Sequence, residues 1–390
     1  MKIGLVLPAT PGYSETFFTN KIKGLQEHGY TVVLFVNSDK NKTTLPVKII
    51  NAPNLSGNSG MVLLRSFLCL METFVFHFSA TIRLFQLNAN DKIPFSKNIK
   101  SIIASSHILS EKLDWLHFGF GTMALDKENV AASIKAEMAV SFRGFDHYVY
   151  PQKNKNCYQL LFSKKVKYHV LSDGMKSDLV QKGIPATHIE KITPAINMDL
   201  FTANLDRVKN DSLKIVTAAR LHWIKGLDYT LEALALVKEK GIQFHYTIIG
   251  EGLEKERLQF LVHQLELGNE VTFAGKLNPE EVKKELQKAE VYLQYSHQEG
   301  FCNAVLEAQA MGKICIVSDA DGLKENVVDT ITGFVIPKRN PLYLASKIME
   351  VNGLSAIEKT AVSKNAMERI KAFFNIEKQK IAFIKFYEKN

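Results

Sequence analysis

The stretch "LKIVTAARLHWIKGLDYTLEALALVKEKGIQFHYTIIG", residues 213 to 250, changes its apolar period twice. "LKIVTAA" is a strand-like run, "LDYTLEALALVKEKG" carries apolar residues at helical spacing up to Gly241, and "FHYTIIG" is strand-like again. Strand, amphipathic helix and strand in succession make a crossover unit with parallel strands. The alternation continues through "LEKERLQFLVHQLELG", "EVTFAG", "PEEVKKELQKAE", "VYLQYS", "ICIVSD", "LKENVVD" and "GFVIP". Such a pattern argues for a parallel sheet covered by helices on both faces. Sheets of this kind bind ligands at the carboxyl ends of their strands, near the point where strand order reverses.

The first half starts the same way. "KIGLVLPA" reads as a strand, "TPGYSE" as a loop, and "TFFTNKIKGLQEHG" as a helix with Ser14 as its N-cap and Gly29 at its end. "YTVVLFV" is the next strand, "KLDWLHFGFG" and "AEMAVSFRG" are strand ends entering loops, and "KYHVLSD" with "GMKSDLVQKG" is a further strand–helix unit. A polar, non-periodic linker is placed around residues 195–211. The architecture expected is α/β, with two Rossmann-like doubly wound domains facing each other across a cleft, residues 1–197 and 198–372.

Composition agrees. The 390 residues are 46% hydrophobic and 23% charged, as in a globular chain with sizeable cores. Of the net charge of +9, residues 1–200 carry 23 Lys+Arg against 15 Asp+Glu, a surplus of +8. A basic half favours an anionic membrane surface or an acidic substrate. There is no RNP, zinc-finger or Arg/aromatic pattern, so no nucleic-acid partner is expected. Cys69, Cys157, Cys302 and Cys315 form no CxxC pair, which fits a reducing cytoplasm and no structural zinc. "MKIGLVLPAT" reads as a first strand rather than a signal peptide. "GMVLLRSFLCLMETFVFHF", residues 60 to 78, is strongly apolar but interrupted by Arg65 and Glu72. It is either a buried or partly exposed helix of the first domain, or a helix lying in a membrane interface, rather than a span.

Chemistry concentrates in "QEGFCNAVLEAQAMG", residues 298 to 312. A helix is expected to start near Cys302 or Asn303, and its free N–H groups favour an anion. Glu299 and Glu307 flank that start, and an ionised carboxylate only accepts hydrogen bonds. The pair suits hydroxyls, best a vicinal diol, beside a phosphate, the combination a nucleotide-sugar offers. On spacing alone, a helix-capping Glu299 and a solvated Glu307 remain an equal alternative. In "AARLHWIKG", Arg220 and Lys225 leave a strand end and can neutralise a diphosphate, unless they are ordinary loop cations. Gly12 in "LPATPGYSETF" lets backbone approach a ligand, although no GxGxxG fingerprint is present. His117 of "WLHFGFG" sits at a strand end, where a histidine is more often structural than catalytic. "SFRGFDHY" places Arg143, Gly144 and Asp146 after another strand. The DxD of "SDADG" is too short to be specific and is read as a loop.

Taken in order, these segments resemble the retaining GT-B nucleotide-sugar glycosyltransferases of family four (glycosyl transferases group 1). "EGFCNAVLEAQAMG" is similar to the family's EGF-x-N-x-x-x-E-A-x-A-x-G signature, and "RLHWIKGLDYTLEALA" to its R-x-x-x-x-K-G-x-D motif. "PGYSETF", "LHFGFG", "KITPAINMDLF" and "TGFVIP" follow the family order. The resemblance implies roles. Glu299 contacts hydroxyls of the donor sugar and Glu307 holds the ribose diol. Arg220 and Lys225 grip the diphosphate, aided by backbone at Phe301, Cys302 and Asn303. Gly12 approaches the phosphates from the opposite domain, and His117 faces the donor sugar. "AFFNIEKQKIAFIKFYEKN" is similar to the family's last helix, so residues 373–390 are expected to pack back on the first domain. Three departures stand out: Arg143 replaces the His of the family's His-Gly-x-Asp pattern, Cys302 stands where Gly or Pro is common, and the linker reads "PAINMDLF".

The activity implied is transfer of a sugar from a UDP- or GDP-sugar to a carbohydrate or lipid-linked acceptor with retention at the anomeric carbon. No metal or other cofactor is expected. A surface-polysaccharide or lipopolysaccharide pathway, in the cytoplasm or on the inner membrane face, fits the basic first half. An epimerase, a phosphorylase or a non-catalytic sugar-binding protein of the same fold are the competing readings.

Overall fold

The computed structural model describes residues 1–12, 16–38, 45–201 and 212–388. Ser14 and residues 202–211 of the expected linker lie outside them. The chain divides into two compact units, Met1–Ile192 with Lys380–Asn390, and Thr193–Gln379.

The first unit is built on β1 (Lys2–Ala9), β2 (Thr31–Ser38), β3 (Lys48–Asn51), β4 (Trp115–Phe118), β5 (Glu137–Ser141), β6 (Val166–Val170) and β7 (Ile189–Lys191). They form one parallel sheet in the order β3-β2-β1-β4-β5-β6-β7. Its longer helices are α1 (Thr16–Glu27), α2 (Ser59–Phe76), α3 (Phe78–Asn90), α4 (Phe95–Leu109) and α5 (Asp173–Gln181). The strands read as apolar runs because both sheet faces are covered, which is what a parallel sheet demands. Ile3, Leu5, Leu7, Leu34 and Ala139 form the core on the side of α1.

The second unit alternates without interruption. It comprises β8 (Leu213–Ala218), α6 (Leu227–Glu239), β9 (Phe244–Ile249), α7 (Lys255–Gln264), β10 (Val271–Gly275), α8 (Pro279–Lys288) and β11 (Val291–Gln294). It continues with α9 (Asn303–Ala310), β12 (Ile314–Ser318), α10 (Asp321–Asn326), β13 (Phe334–Ile336), α11 (Pro341–Gly353) and α12 (Ala356–Phe373). The parallel sheet runs β10-β9-β8-β11-β12-β13. Both sheets reverse strand order once, between β1 and β4 and between β8 and β11. Each unit is therefore Rossmann-like and doubly wound, as expected.

The boundaries shift from the expected ones. Ile196 bridges Asn375, and its N–H donates to the Phe374 carbonyl at 3.1 Å, so residues 193–197 already belong to the second unit. The last helix, α13 (Ile376–Tyr387), passes to the first unit only from Lys380. There Phe383, Phe386 and Tyr387 join the core, and Trp115 Nε1 donates to the Tyr387 carbonyl at 3.0 Å.

The three helices α2 to α4 between β3 and β4 are the part of the first unit least legible beforehand. Only Thr73 of α2 is fully buried, so the buried form of the 60–78 reading does not hold.

Candidate active site

β8 ends at Ala218 and β11 at Gln294, and the two strands are neighbours where the second sheet reverses. Their loops therefore leave the same sheet edge side by side. The first carries Arg220 and Lys225; the second carries Glu299, Phe301 and Cys302 and enters α9 at Asn303. Backbone stitches them together: the His297 N–H donates to the Ile224 carbonyl at 2.8 Å. Gly226 adopts φ +59°, and a Cβ there would lie 2.2 Å from the Tyr295 carbonyl oxygen. Only glycine permits both that left-handed turn and that approach.

The stitched loops bring Lys225 onto Glu299. Lys225 Nζ pairs with Glu299 Oε1, with both side chains largely shielded. Burial alone would lower the Lys225 pKa, but the Glu299 carboxylate outweighs it and holds the ammonium charged. Ser296 Oγ also donates to Glu299 Oε1 at 3.0 Å, and Gln294 Nε2 lies 3.5 Å from it. All three contacts fall on Oε1, so Oε2 is the oxygen left to accept from a ligand hydroxyl. This modifies the expectation for Lys225, whose charge is shared with Glu299. Arg220 is exposed just past the end of β8 and enters no ion pair among the described residues.

The start of α9 is pinned from α10. Asn326 Oδ1 accepts from the Cys302 N–H at 3.0 Å, and Asn326 Nδ2 donates to the Cys302 carbonyl at 3.1 Å. A Cβ on Gly322 would lie 2.3 Å from the Gly300 carbonyl, so α10 packs directly on the loop backbone. The Phe301 ring is buried against Phe374 at 5.7 Å. The Cys302 N–H and carbonyl are therefore spent on Asn326, against the expectation that Cys302 backbone aids the diphosphate, while the N–H groups that open α9 at Asn303 have no partner within the helix. The Cys302 thiol is pushed up to about 12 by burial and by Glu299, so it stays protonated and is no nucleophile.

Glu307 lies further along α9, partly buried and without an ion pair among the described residues. Burial raises its pKa to about 7. The charges of this set act on one another: Lys225 feels Glu299, Cys302 and Arg220, and Cys302 feels Glu299, Lys225 and Glu307. Arg220, Lys225, Glu299, Cys302 and Glu307 therefore share one neighbourhood. The DxD carboxylates are engaged by protein: Asp319 accepts from the Lys338 N–H and Asp321 from Gln298 Nε2. No group of three or more His, Cys, Asp or Glu suited to a metal ion occurs among the described residues.

Gly12 and His117 belong to the first unit. Gly12 follows β1 at that sheet's reversal point, just before residues that lie outside the description. His117 requires a correction. It is fully buried in β4 beneath α13, and a chain of hydrogen bonds fixes its ring. His169 Nε2 donates to the Ile192 carbonyl at 3.0 Å, which leaves His169 Nδ1 to accept from Ser141 Oγ at 2.8 Å. Ser141 Oγ in turn accepts from His117 Nε2 at 2.8 Å, so His117 Nδ1 accepts from Tyr387 Oη at 2.5 Å and Lys21 Nζ at 3.1 Å. Burial and the Lys21 charge keep both imidazoles neutral. With both nitrogens committed, His117 holds α13 on the sheet and does not face a donor sugar. The third first-unit motif is also structural within its fold. Asp146 accepts from the Gly121 and Arg143 N–H groups, and the Arg143 guanidinium stacks 3.7 Å from the Phe17 ring centre.

Sequence reasoning missed Gln294, Ser296 and Asn326. A Gln at a strand end and an Asn 24 residues from its partner carry no motif; only the folded loop brings them to the site.

Residues 205–369 match the family model described as Glycosyl transferases group 1. The putative colanic acid biosynthesis glycosyltransferase of Escherichia coli K12 is 29% identical over 273 residues, 66% of each chain. The amylovoran biosynthesis glycosyltransferase of Erwinia amylovora is 26% identical over 61% of this chain and 60% of its own. The matches thus span less than two thirds of these relatives' length. Among solved structures, an Anabaena protein in complex with UDP-glucose superposes with a TM-score of 0.73 at 14% identity, covering 99% of this chain and 98% of that one. The fold is that of the GT-B glycosyltransferases.

Proposed function

We propose, on the premise that residues 205–369 form a glycosyl transferases group 1 domain, that this protein transfers a sugar from a nucleotide-sugar to a carbohydrate or lipid-linked acceptor. Retention at the anomeric carbon, independence of metal and a place in surface-polysaccharide assembly complete the proposal. The observation that carries it is the buried Lys225–Glu299 pair beside the start of α9, with the partly buried Glu307 further along the same helix. The relatives named for colanic acid and amylovoran biosynthesis, and the neighbour bound to UDP-glucose, support the same reading.

The chemistry follows from the charges. Arg220 and the α9 N–H groups receive the diphosphate, and Lys225 donates to it while remaining on Glu299. Glu299 Oε2 accepts from a sugar hydroxyl, and ionised Glu307 accepts from the ribose diol. As the bond from the anomeric carbon to the phosphate oxygen breaks, charge grows on the leaving diphosphate, and Arg220, Lys225 and the α9 dipole stabilise it. The acceptor oxygen bonds to the anomeric carbon from the same face, and its proton passes to the leaving phosphate. No enzymic nucleophile enters, in keeping with the protonated Cys302.

A thermal-shift panel of UDP-, GDP- and ADP-sugars tests donor binding, since a ligand of the folded state raises the melting temperature. One class is expected to stabilise the protein, and NMR of the product is expected to show the donor's anomeric configuration kept. No shift with any nucleotide-sugar refutes the site; an inverted product refutes the mechanism.

A further inference from the structure

We propose that the outward face of α2 is the surface by which this protein lies on an anionic phospholipid bilayer. The polarity of α2 is reversed relative to an ordinary surface helix, which turns its apolar stripe to the core. Here Ser66, Cys69 and Thr73 face the protein with Val62, and Cys69 Sγ donates to Ser106 Oγ of α4 at 3.0 Å. Leu63, Leu64, Phe67, Leu68, Met71 and Val75 are exposed, Leu63 to 71% and Val75 to 64%. At about 100° per residue these six occupy about 140° of the helix circumference without a polar interruption. Arg65 and Glu72 fall together on one flank of that stripe. Phe76 and Phe78 extend it past the end of the helix, both exposed. A contiguous apolar surface of this length is unusual on a soluble protein and marks a docking face.

The charges select the occupant. From Ser59 to Leu109 the chain carries Arg65, Arg83, Lys92, Lys97 and Lys100 against Glu72 and Asp91. Asp91 is consumed by Lys164 at 2.5 Å. Arg65, Lys92, Lys97 and Lys100 are exposed and form no ion pair among the described residues. An exposed apolar stripe in a segment whose exposed, unpaired charges are mostly basic complements anionic headgroups. A second copy of the chain docked through the same face would set this basic group against itself. A spanning orientation would strip α2 from α4 and put Ser66, Thr73, Arg65 and Glu72 in hydrocarbon. The helix is therefore assigned to lie flat, one face on the protein and one in the lipid interface. This deepens the proposed function and rests on it only for the lipid-linked acceptor.

The test is flotation of the full-length protein with vesicles of phosphatidylcholine alone or mixed with phosphatidylglycerol. Neither donor nor acceptor is present, and the nucleotide-sugar shifts need no vesicles, so either proposal can fail alone. The wild type is expected to float with the anionic vesicles. A Phe67→Gln/Met71→Gln/Val75→Gln variant, whose new residues keep helix propensity, is expected to lose about a hundredfold in partitioning with unchanged circular dichroism. Lys97→Glu/Lys100→Glu is expected to lose about tenfold on anionic vesicles only. A wild type that floats with neither vesicle, or a triple variant that floats undiminished, overturns the proposal. So does a vesicle-free wild-type dimer that the triple substitution dissolves without altering flotation, because the face then belongs to a second copy.

Discussion

Lys225→Met removes one charge from the shielded Lys225–Glu299 pair and keeps most of the stem. It separates two roles that the geometry superimposes on one lysine. The carboxylate left behind keeps the Ser296 hydroxyl at 3.0 Å and Gln294 at 3.5 Å but loses the Lys225 ammonium. Breaking a buried pair costs about 3–5 kcal/mol, and the remaining donors place this case near about 3 kcal/mol. For a unit the size of Thr193–Gln379, that lowers the melting temperature by about 6–12 °C. Lys225→Met/Glu299→Gln leaves a neutral amide among the same donors and is expected to recover stability to within about 1 kcal/mol of wild type. Catalysis is expected to behave differently. Both variants lack the cation at the leaving diphosphate, so kcat/KM falls about 10²–10³-fold in each. Calorimetric unfolding supplies the first quantity, and initial rates with the donor found by thermal shift supply the second. If the double variant regains activity together with stability, the pair is a strut and the catalytic reasoning fails. If the single variant melts with wild type, the two side chains are not energetically coupled.

Two further outcomes follow from buried acids and bases. Burial holds Glu307 near 7, so the folded state favours its neutral form and only the ionised form accepts a diol without a competing proton. Donor affinity is therefore expected to fall about tenfold from pH 8 to pH 6, and Glu307→Gln to flatten that slope; an unchanged slope in the variant assigns the titration elsewhere. His117 and His169 are kept neutral with folded pKa values below their ordinary 6.5. Their contribution to stability is complete above about pH 6.5 and is lost as pH falls, at up to about 1.4 kcal/mol per unit for each. Urea midpoints at pH 7 and 5.5 measure it, and a His117→Gln/His169→Gln variant that keeps the full acid slope rules the network out as its source.

The second unit was the legible half. Its strands and helices alternate at full length, Asn303 opens α9 where the local pattern put it, and Arg220, Lys225, Glu299 and Glu307 converge. Periodicity puts each of these loops at the carboxyl end of its strand, and the pairing of β8 with β11 sets the two ends side by side. The first unit was less legible because three helices intervene between β3 and β4, and their apolar content gives no sign of which face turns inward. His117 shows the limit most directly. "WLHFGFG" locates it at a strand end, but which side of the sheet it faces, and that α13 covers it from more than 250 residues away, is a matter of packing.

The amino-acid order by itself determined the two parallel sheets and the residue types that leave their strand ends, since apolar period and strand–helix alternation are local properties. The tertiary structure decided the rest. It committed Lys225 to Glu299, clamped Cys302 with Asn326, turned His117 into a strut and left the apolar side of α2 outward. Each of these depends on which distant group arrives to satisfy a charge, a hydrogen bond or an apolar surface, and no spacing along the chain encodes that arrival.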